Sequence, residues 1–195
     1  MKKVLFVALL SIVSLGAYAQ HEPGTFTLAP KAGINLAKFT NLDNSRYRVG
    51  AVAGLELEGY ASEHFGVAVG AFWSQEGGKE KIIDSRFSNI YQADYVNIPV
   101  TANFYIAKGF ALKVGVQAGI NVRTKIKLPE QAVQRYQDIR GTNKPAVISV
   151  PLGFSYEVNN IVFDARYNWG LSKTFKTGDI KNSTLQFTLG YKFAL

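Results

Sequence analysis

The sequence predicts an all-β fold, an eight-stranded antiparallel transmembrane up-and-down β-barrel. Three observations predict it: eight stretches in which apolar and polar residues alternate, glycines that keep to the polar side of that alternation, and connectors that run short and long in turn. A period of two marks a strand, because successive side chains point to opposite faces.

The segment before the first strand has a different character. Lys2 and Lys3 precede an apolar run from Val4 to Leu15, followed by the small-x-small site Ala17-Tyr18-Ala19. This is the pattern of a secretory signal peptide over residues 1–19, cut before Gln20, with the barrel domain at 20–195. The run is too short to cross a bilayer as a retained helix, and a lipoprotein signal would need a cysteine. The chain has none, which also removes disulfides, thiolate metal sites and cysteine nucleophiles. The chain of 195 residues is 47% hydrophobic, with a mean hydropathy of only +0.01. That balance excludes a bundle of membrane helices and suits a barrel, whose strands dilute apolar residues with polar ones. The formal charge of +8 falls to +6 once Lys2 and Lys3 are gone. A basic protein outside the cytoplasm meets anionic lipid headgroups and not nucleic acid.

The eight strands are read at residues 25–37, 48–60, 65–76, 93–106, 110–123, 146–158, 161–172 and 183–194. The first places Lys31, Gly33 and Asn35 on one face. The second sets Val49, Ala51, Ala53, Leu55 and Leu57 against Arg48, Gly50, Val52, Gly54, Glu56 and Glu58. The third carries Gly66 and Gly70 on the polar parity, and the fourth Tyr95, Asn97, Asn103 and Tyr105. In the fifth, Leu112, Val114, Val116, Ala118, Ile120 and Val122 oppose Lys113, Gly115, Gln117, Gly119, Asn121 and Arg123. The sixth has Gly153 on the polar side. In the seventh, Ile161, Phe163, Ala165, Tyr167, Trp169 and Leu171 oppose Val162, Asp164, Arg166, Asn168, Gly170 and Ser172. In the eighth, Leu185, Phe187, Leu189, Tyr191, Phe193 and Leu195 oppose Thr184, Gln186, Thr188, Gly190 and Lys192.

Alternation alone would also suit a soluble sandwich. Glycine decides against it: a small barrel has a crowded, sharply curved inner face that glycine relieves, whereas a solvated face has no need of small residues. The apolar faces extend over roughly 10 residues, enough to cross a bilayer at a tilt, against about 5–6 for a typical soluble strand. Connectors 61–64, 107–109 and 159–160 are tight turns, and Asn159-Asn160 has a strong hairpin preference. Connectors 38–47, 77–92, 124–145 and 173–182 are longer and polar. Short periplasmic turns and long outer loops are the rule for outer-membrane barrels, and they place both termini in the periplasm. Trp73 and Trp169 then fall near the outer ends, and Phe26, Phe65, Phe104, Phe110, Tyr156, Phe163 and Phe193 near the periplasmic ends, as two aromatic belts.

Tyr95-Val96-Asn97-Ile98-Pro99-Val100, Asn103-Phe104-Tyr105 and Lys108-Gly109-Phe110 resemble the strand–turn–strand core of small outer-membrane β-barrels called the porin family or PorT-like family. Asp164 to Ser172 resembles the family's penultimate strand, and Lys31 to Leu36 its first. The resemblance covers nearly all of residues 24–195. It implies a Gram-negative outer-membrane location, and it leaves open a place in a secretion system, with which PorT itself is associated. Thr188, Gly190, Phe193 and Leu195 are similar to the last-strand signal read by the barrel-assembly machinery, although Leu195 stands where many such proteins end on an aromatic.

Eight strands enclose a lumen just wide enough to be filled by side chains. Glu56, Glu58, Lys113, Asp164, Arg166 and Lys192 all point into it, and buried charges of both signs should pair, with Arg166 and Lys113 facing Glu56, Glu58 or Asp164. Bulk conduction and an apolar carrier cavity are therefore not expected. Glu56 and Glu58 superficially resemble a carboxylate pair, but pairing with Lys or Arg is the simpler role. The only histidines are His21 in the tail and His64 in a periplasmic turn, so neither can join an outward-facing Ser–His site. No enzyme activity, metal site or cofactor is expected. The outer loops remain. Arg123, Lys125, Lys127, Arg135, Arg140 and Lys144, with Lys173, Lys176 and Lys181, form a basic rim that would attract phosphorylated glycolipid or a polyanionic partner. A solvated rim without a ligand is the alternative. Residues 129–139 are read as a short helix. The expected partners are outer-membrane lipids, the assembly machinery and other envelope proteins, and the role is structural or one of docking. A narrow pore remains a rival.

Overall fold

A computed structural model describes residues 22–41, 45–81, 88–128, 135–138, 143–176 and 178–195. The signal segment 1–19 and His21 lie outside the described residues. Eight long strands build the fold: β1 (Phe26–Thr40), β2 (Arg48–Ser62), β3 (Phe65–Lys81), β4 (Ser88–Ala107), β5 (Phe110–Leu128), β6 (Ala146–Val158), β7 (Ile161–Gly170) and β8 (Lys181–Tyr191). Each pairs antiparallel with its neighbour in sequence. β1 also pairs with β8, from Lys31↔Gly190 to Thr40↔Lys181, so the sheet closes on itself. Closure removes the unpaired edges that hydrocarbon could not satisfy. Beyond Lys192 the chain resumes pairing with β1 at Leu28↔Phe193 and Thr27↔Ala194. The interruption falls opposite Pro30, which has no N–H to give to the ladder.

The burial pattern is inverted relative to a protein folded for water. Val49 and Ile106 are each 63% exposed and Val116 and Leu189 each 59%, whereas Asn35 is 0% and Arg166 2% exposed. Such an exterior matches hydrocarbon and such an interior matches polar contact. Trp73 and Trp169 are exposed toward one end of this belt. At the other end aromatic rings meet between strands, Phe65 with Phe104 at 5.3 Å and Phe110 with Phe154 at 5.7 Å.

The short connectors are tight hairpins. Asn159 and Asn160 both take positive φ, 48° and 67°, as a two-residue turn matched to strand twist requires. Gly109 does the same at 69°. At the opposite end five strands run beyond their predicted limits: 38–40, 77–81, 88–92, 124–128 and 181–182 are strand, with Lys81 pairing Ser88. Past the hydrocarbon both faces are wet, so the alternation fades from the sequence while the hydrogen-bonded ladder continues. β7 instead stops at Gly170, short of the predicted Ser172.

Two further expectations are corrected. Arg135–Asp138, within the segment read as a short helix, is a strand that pairs antiparallel with residues 125–128 of β5; the open ladder of the extended hairpin recruits it. Arg123, placed on the inward parity, is exposed, and Thr124 is buried instead. The register between β4 and β5 shifts between Asp94 and Tyr95, and the extra residue on β5 reverses which side chains face in.

Candidate functional site

The lumen is filled in three storeys. Nearest the short turns, Lys192 Nζ lies 2.9 Å from both Glu58 Oε2 and Glu157 Oε2 and donates to the Tyr60 and Tyr105 hydroxyls at 2.8 and 3.1 Å. Glu58 Oε1 accepts from Asn103 at 2.6 Å and from the Tyr105 hydroxyl at 2.7 Å. These residues converge because β2, β4 and β6 each turn a polar side chain inward at that level, and Lys192 follows directly after β8.

In the middle, three cations surround two carboxylates. Lys31 Nζ donates to Glu56 Oε1 at 2.5 Å and Asp164 Oδ2 at 3.3 Å. Lys113 Nζ bridges the same two oxygens at 2.8 and 2.9 Å. Arg166 donates from Nε to Asp164 Oδ1 at 2.8 Å and from Nη2 to Glu56 Oε2 and Asp164 Oδ2, both at 3.0 Å. Its guanidinium carbon sits 5.5 Å from the centroid of the Phe72 ring. Phe72 fits because its neighbours lack side chains: a Cβ on Gly70 or Gly54 would fall 2.5 or 2.7 Å from that ring. Lys31 comes from β1, Glu56 from β2, Lys113 from β5, and Asp164 and Arg166 from β7. The cluster thus ties strands across the bore that share no ladder.

In the storey nearest the long loops, Glu76 accepts from Ser74 Oγ at 2.9 Å, Asn97 Nδ2 at 2.7 Å and Asn182 Nδ2. Asn35 donates to Ser74 Oγ at 2.8 Å. Above it the rings of Phe39, Tyr91 and Phe175 meet at 5.5 to 6.2 Å. Segment 171–176 brings Phe175 to this point, held by a bridge to Asn143 and by Lys144 N donating to Thr174 O at 2.9 Å.

Glu56, Glu58, Lys113, Asp164, Arg166 and Lys192 are therefore brought into the lumen, though not into one group: Glu56 belongs to the middle storey and Glu58 to the one below. Each carboxylate is held by cations, which leaves neither as a free acid or base. Glu157, Phe72 and Glu76 were overlooked in the sequence. Their signal was parity alone, since Glu157 is in phase with Gly153, and Phe72 and Glu76 with Gly66 and Gly70.

At the rim, Arg123, Lys173 and Lys176 are exposed, and Lys125, Lys144 and Lys181 are half-buried. Lys173 and Asp179 form an exposed pair at 3.5 Å. The backbones of Lys127 and Arg135 lie in paired strand, while Arg140 lies outside the described residues. In the last strand Thr188 faces inward and is buried, and Phe193 and Leu195 are exposed. His64 sits exposed in the β2–β3 turn. Among the described residues no three His, Cys, Asp or Glu side chains are grouped to hold a metal.

A closed eight-stranded barrel with an apolar exterior and short turns at one end is the architecture of small outer-membrane proteins, and residues 18–176 match the family described as the outer membrane protein beta-barrel domain. The chain belongs to that family. Its location is accordingly the outer membrane. Neisserial surface protein A is similar in structure at a TM-score of 0.54 and 16% identity, over 86% of this chain and 97% of that one. Ail, the attachment invasion locus protein of Yersinia pestis, also gives 0.54 at 18% identity, over 88% and 99%. At these identities the likeness is one of fold. No curated protein matches the chain by sequence.

Proposed function

We propose that the protein is a non-conducting barrel, exported through a cleaved signal peptide at residues 1–19, that serves as a rigid platform for its basic outer rim. The observation that carries this reading is the middle storey, where Lys31, Glu56, Lys113, Asp164 and Arg166 bridge the bore at 2.5 to 3.3 Å. An ion or solute crossing it would have to separate several buried pairs, at a cost of several kcal/mol. With the interior occupied, the work falls to the loops. Arg123, Lys125, Lys127, Arg135, Arg140, Lys144, Lys173, Lys176 and Lys181 would dock phosphorylated glycolipid or another polyanion of the envelope. Ail of the same fold has been crystallised with the heparin analogue sucrose octasulfate, which makes a sulfated sugar a suitable probe.

The purified barrel in planar bilayers should give no sustained open-state current. In detergent it should bind immobilised heparin or vesicles carrying phosphorylated glycolipid, and release them as salt rises. Steady conductance, or no retention on either anion at low salt, would overturn the reading. The likeness of Tyr95–Phe110 and Asp164–Ser172 to PorT-like proteins supports a second role, in secretion. Deleting the gene should then empty the medium of its exported proteins, whereas an unaltered secretome counts against it.

A further inference from the structure

The lower two storeys are neutral as a set: Lys31, Lys113, Arg166 and Lys192 face Glu56, Glu58, Glu157 and Asp164 in them. Glu76, above them, is different. It is 7% exposed, and among the described residues its carboxylate is met by neutral donors, Ser74, Asn97 and Asn182, with the Thr184 hydroxyl nearby. Among the described residues no Lys, Arg or His nitrogen lies within 4.0 Å of its carboxylate oxygens; the nearby Arg48 guanidinium donates to the Glu76 main-chain oxygen instead. An ionised carboxylate left so in a closed lumen is costly.

Glu76 lines a cavity of about 20 Å³ together with Asn97, Ser149, Asn168, Thr174 and Asn182. Three of these carry a buried oxygen with no partner among the described residues. The amide nitrogen of Asn168 is taken up by Gln186 and that of Asn182 by Glu76, so their Oδ1 atoms are the ends left over. Neither Oδ1 nor Thr174 Oγ has a hydrogen-bond partner among the described residues. Asn168 is 3% and Thr174 1% exposed, so bulk water does not serve them. One carboxylate, two amide oxygens and a hydroxyl make a hard oxygen set suited to an alkali cation.

We propose that this chamber binds a monovalent cation of the sodium or potassium class against Glu76. Charge and space both favour one positive charge. A single carboxylate balances a monovalent ion, whereas a divalent ion would leave an excess charge buried. Calcium takes six to eight oxygens, and magnesium keeps several waters, which a cavity near the size of one or two waters cannot house. The site is separate from the rim, and its failure would leave the docking reading untouched.

The full barrel, refolded in detergent, is crystallised from thallium(I), an anomalously scattering stand-in for potassium. Its thermal unfolding is then compared in sodium, potassium and choline chlorides at equal ionic strength, choline being too large for the cavity. An anomalous peak at the Glu76 oxygens is expected, with a midpoint a few degrees higher in sodium or potassium than in choline. Glu76→Gln should lose both the peak and the difference. The proposal falls if thallium gives no peak in the wild-type chamber, or if the midpoint is the same in all three salts. It falls equally if Glu76→Gln keeps the wild-type dependence, or if the midpoint follows pH and ignores the cation, which would make a proton the occupant. Should Glu76→Gln fail to fold, the two wild-type measurements still decide.

Discussion

Arg166 carries more of the lumen than any other single side chain, since its fork holds Asp164 and Glu56 together while its face lies on Phe72. Arg166→Met keeps the bulk and removes the charge, which leaves two carboxylates with fewer cations in a buried site. The loss should be about 3–5 kcal/mol, read as a lower urea midpoint for the barrel in detergent. An unchanged midpoint would show that the pairing contributes nothing net. Glycine sets a second limit at this scale. A Cβ on Gly33 would lie 1.9 Å from the Phe187 carbonyl oxygen, an atom of the closing β1–β8 seam that cannot swing aside. Gly33→Ala should therefore destabilise by about 1–3 kcal/mol, seen in the same unfolding experiment. Little change there would mean the seam has slack that the spacing does not suggest.

Single elements separate assembly from docking. The last strand ends with Leu195 N donating to Phe26 O at 3.0 Å and with Phe193 facing lipid. Removing residues 193–195 should lower the fraction that reaches the outer membrane as the folded, heat-modifiable band on a gel, while Leu195→Phe should leave it intact. Equal folded yields from all three would remove the assembly role from this end. The β7–β8 connector is the contrasting case. Its Lys173–Asp179 pair is exposed and is worth about 0–1 kcal/mol. Replacing Lys173, Lys176 and Lys181 by glutamate should thus weaken heparin binding severalfold without moving the unfolding midpoint. A fall in both would make these lysines structural.

For the whole molecule, salt distinguishes inside from outside. Ion pairs enclosed by the barrel are screened little, whereas an exposed rim loses its attraction beyond a Debye length of about 8 Å at physiological ionic strength. Raising salt should release a bound polyanion well before it lowers barrel stability, with an inert salt such as choline chloride used throughout. Parallel loss of both would place the working charges in one environment.

Most of this architecture was legible before folding. Which face of each strand meets lipid follows from local alternation, because the pleat sends neighbours to opposite sides regardless of partner. The inward course of Glu56, Lys113, Asp164 and Arg166 could be counted along single strands in that way, as could the short turn at Asn159-Asn160. Counting fails where the environment changes or the register slips. The strand extensions past the hydrocarbon carry no apolar rhythm, and one extra residue near Val122 exchanged the places of Arg123 and Thr124. Nor could parity say which inward charges would meet. Glu56 and Glu58 are two residues apart in the chain but serve different storeys, and the Glu76 carboxylate has no ion-pair partner among the described residues. Those outcomes depend on the stagger with which eight strands close into a ring, a property of all the ladders together and of no strand alone.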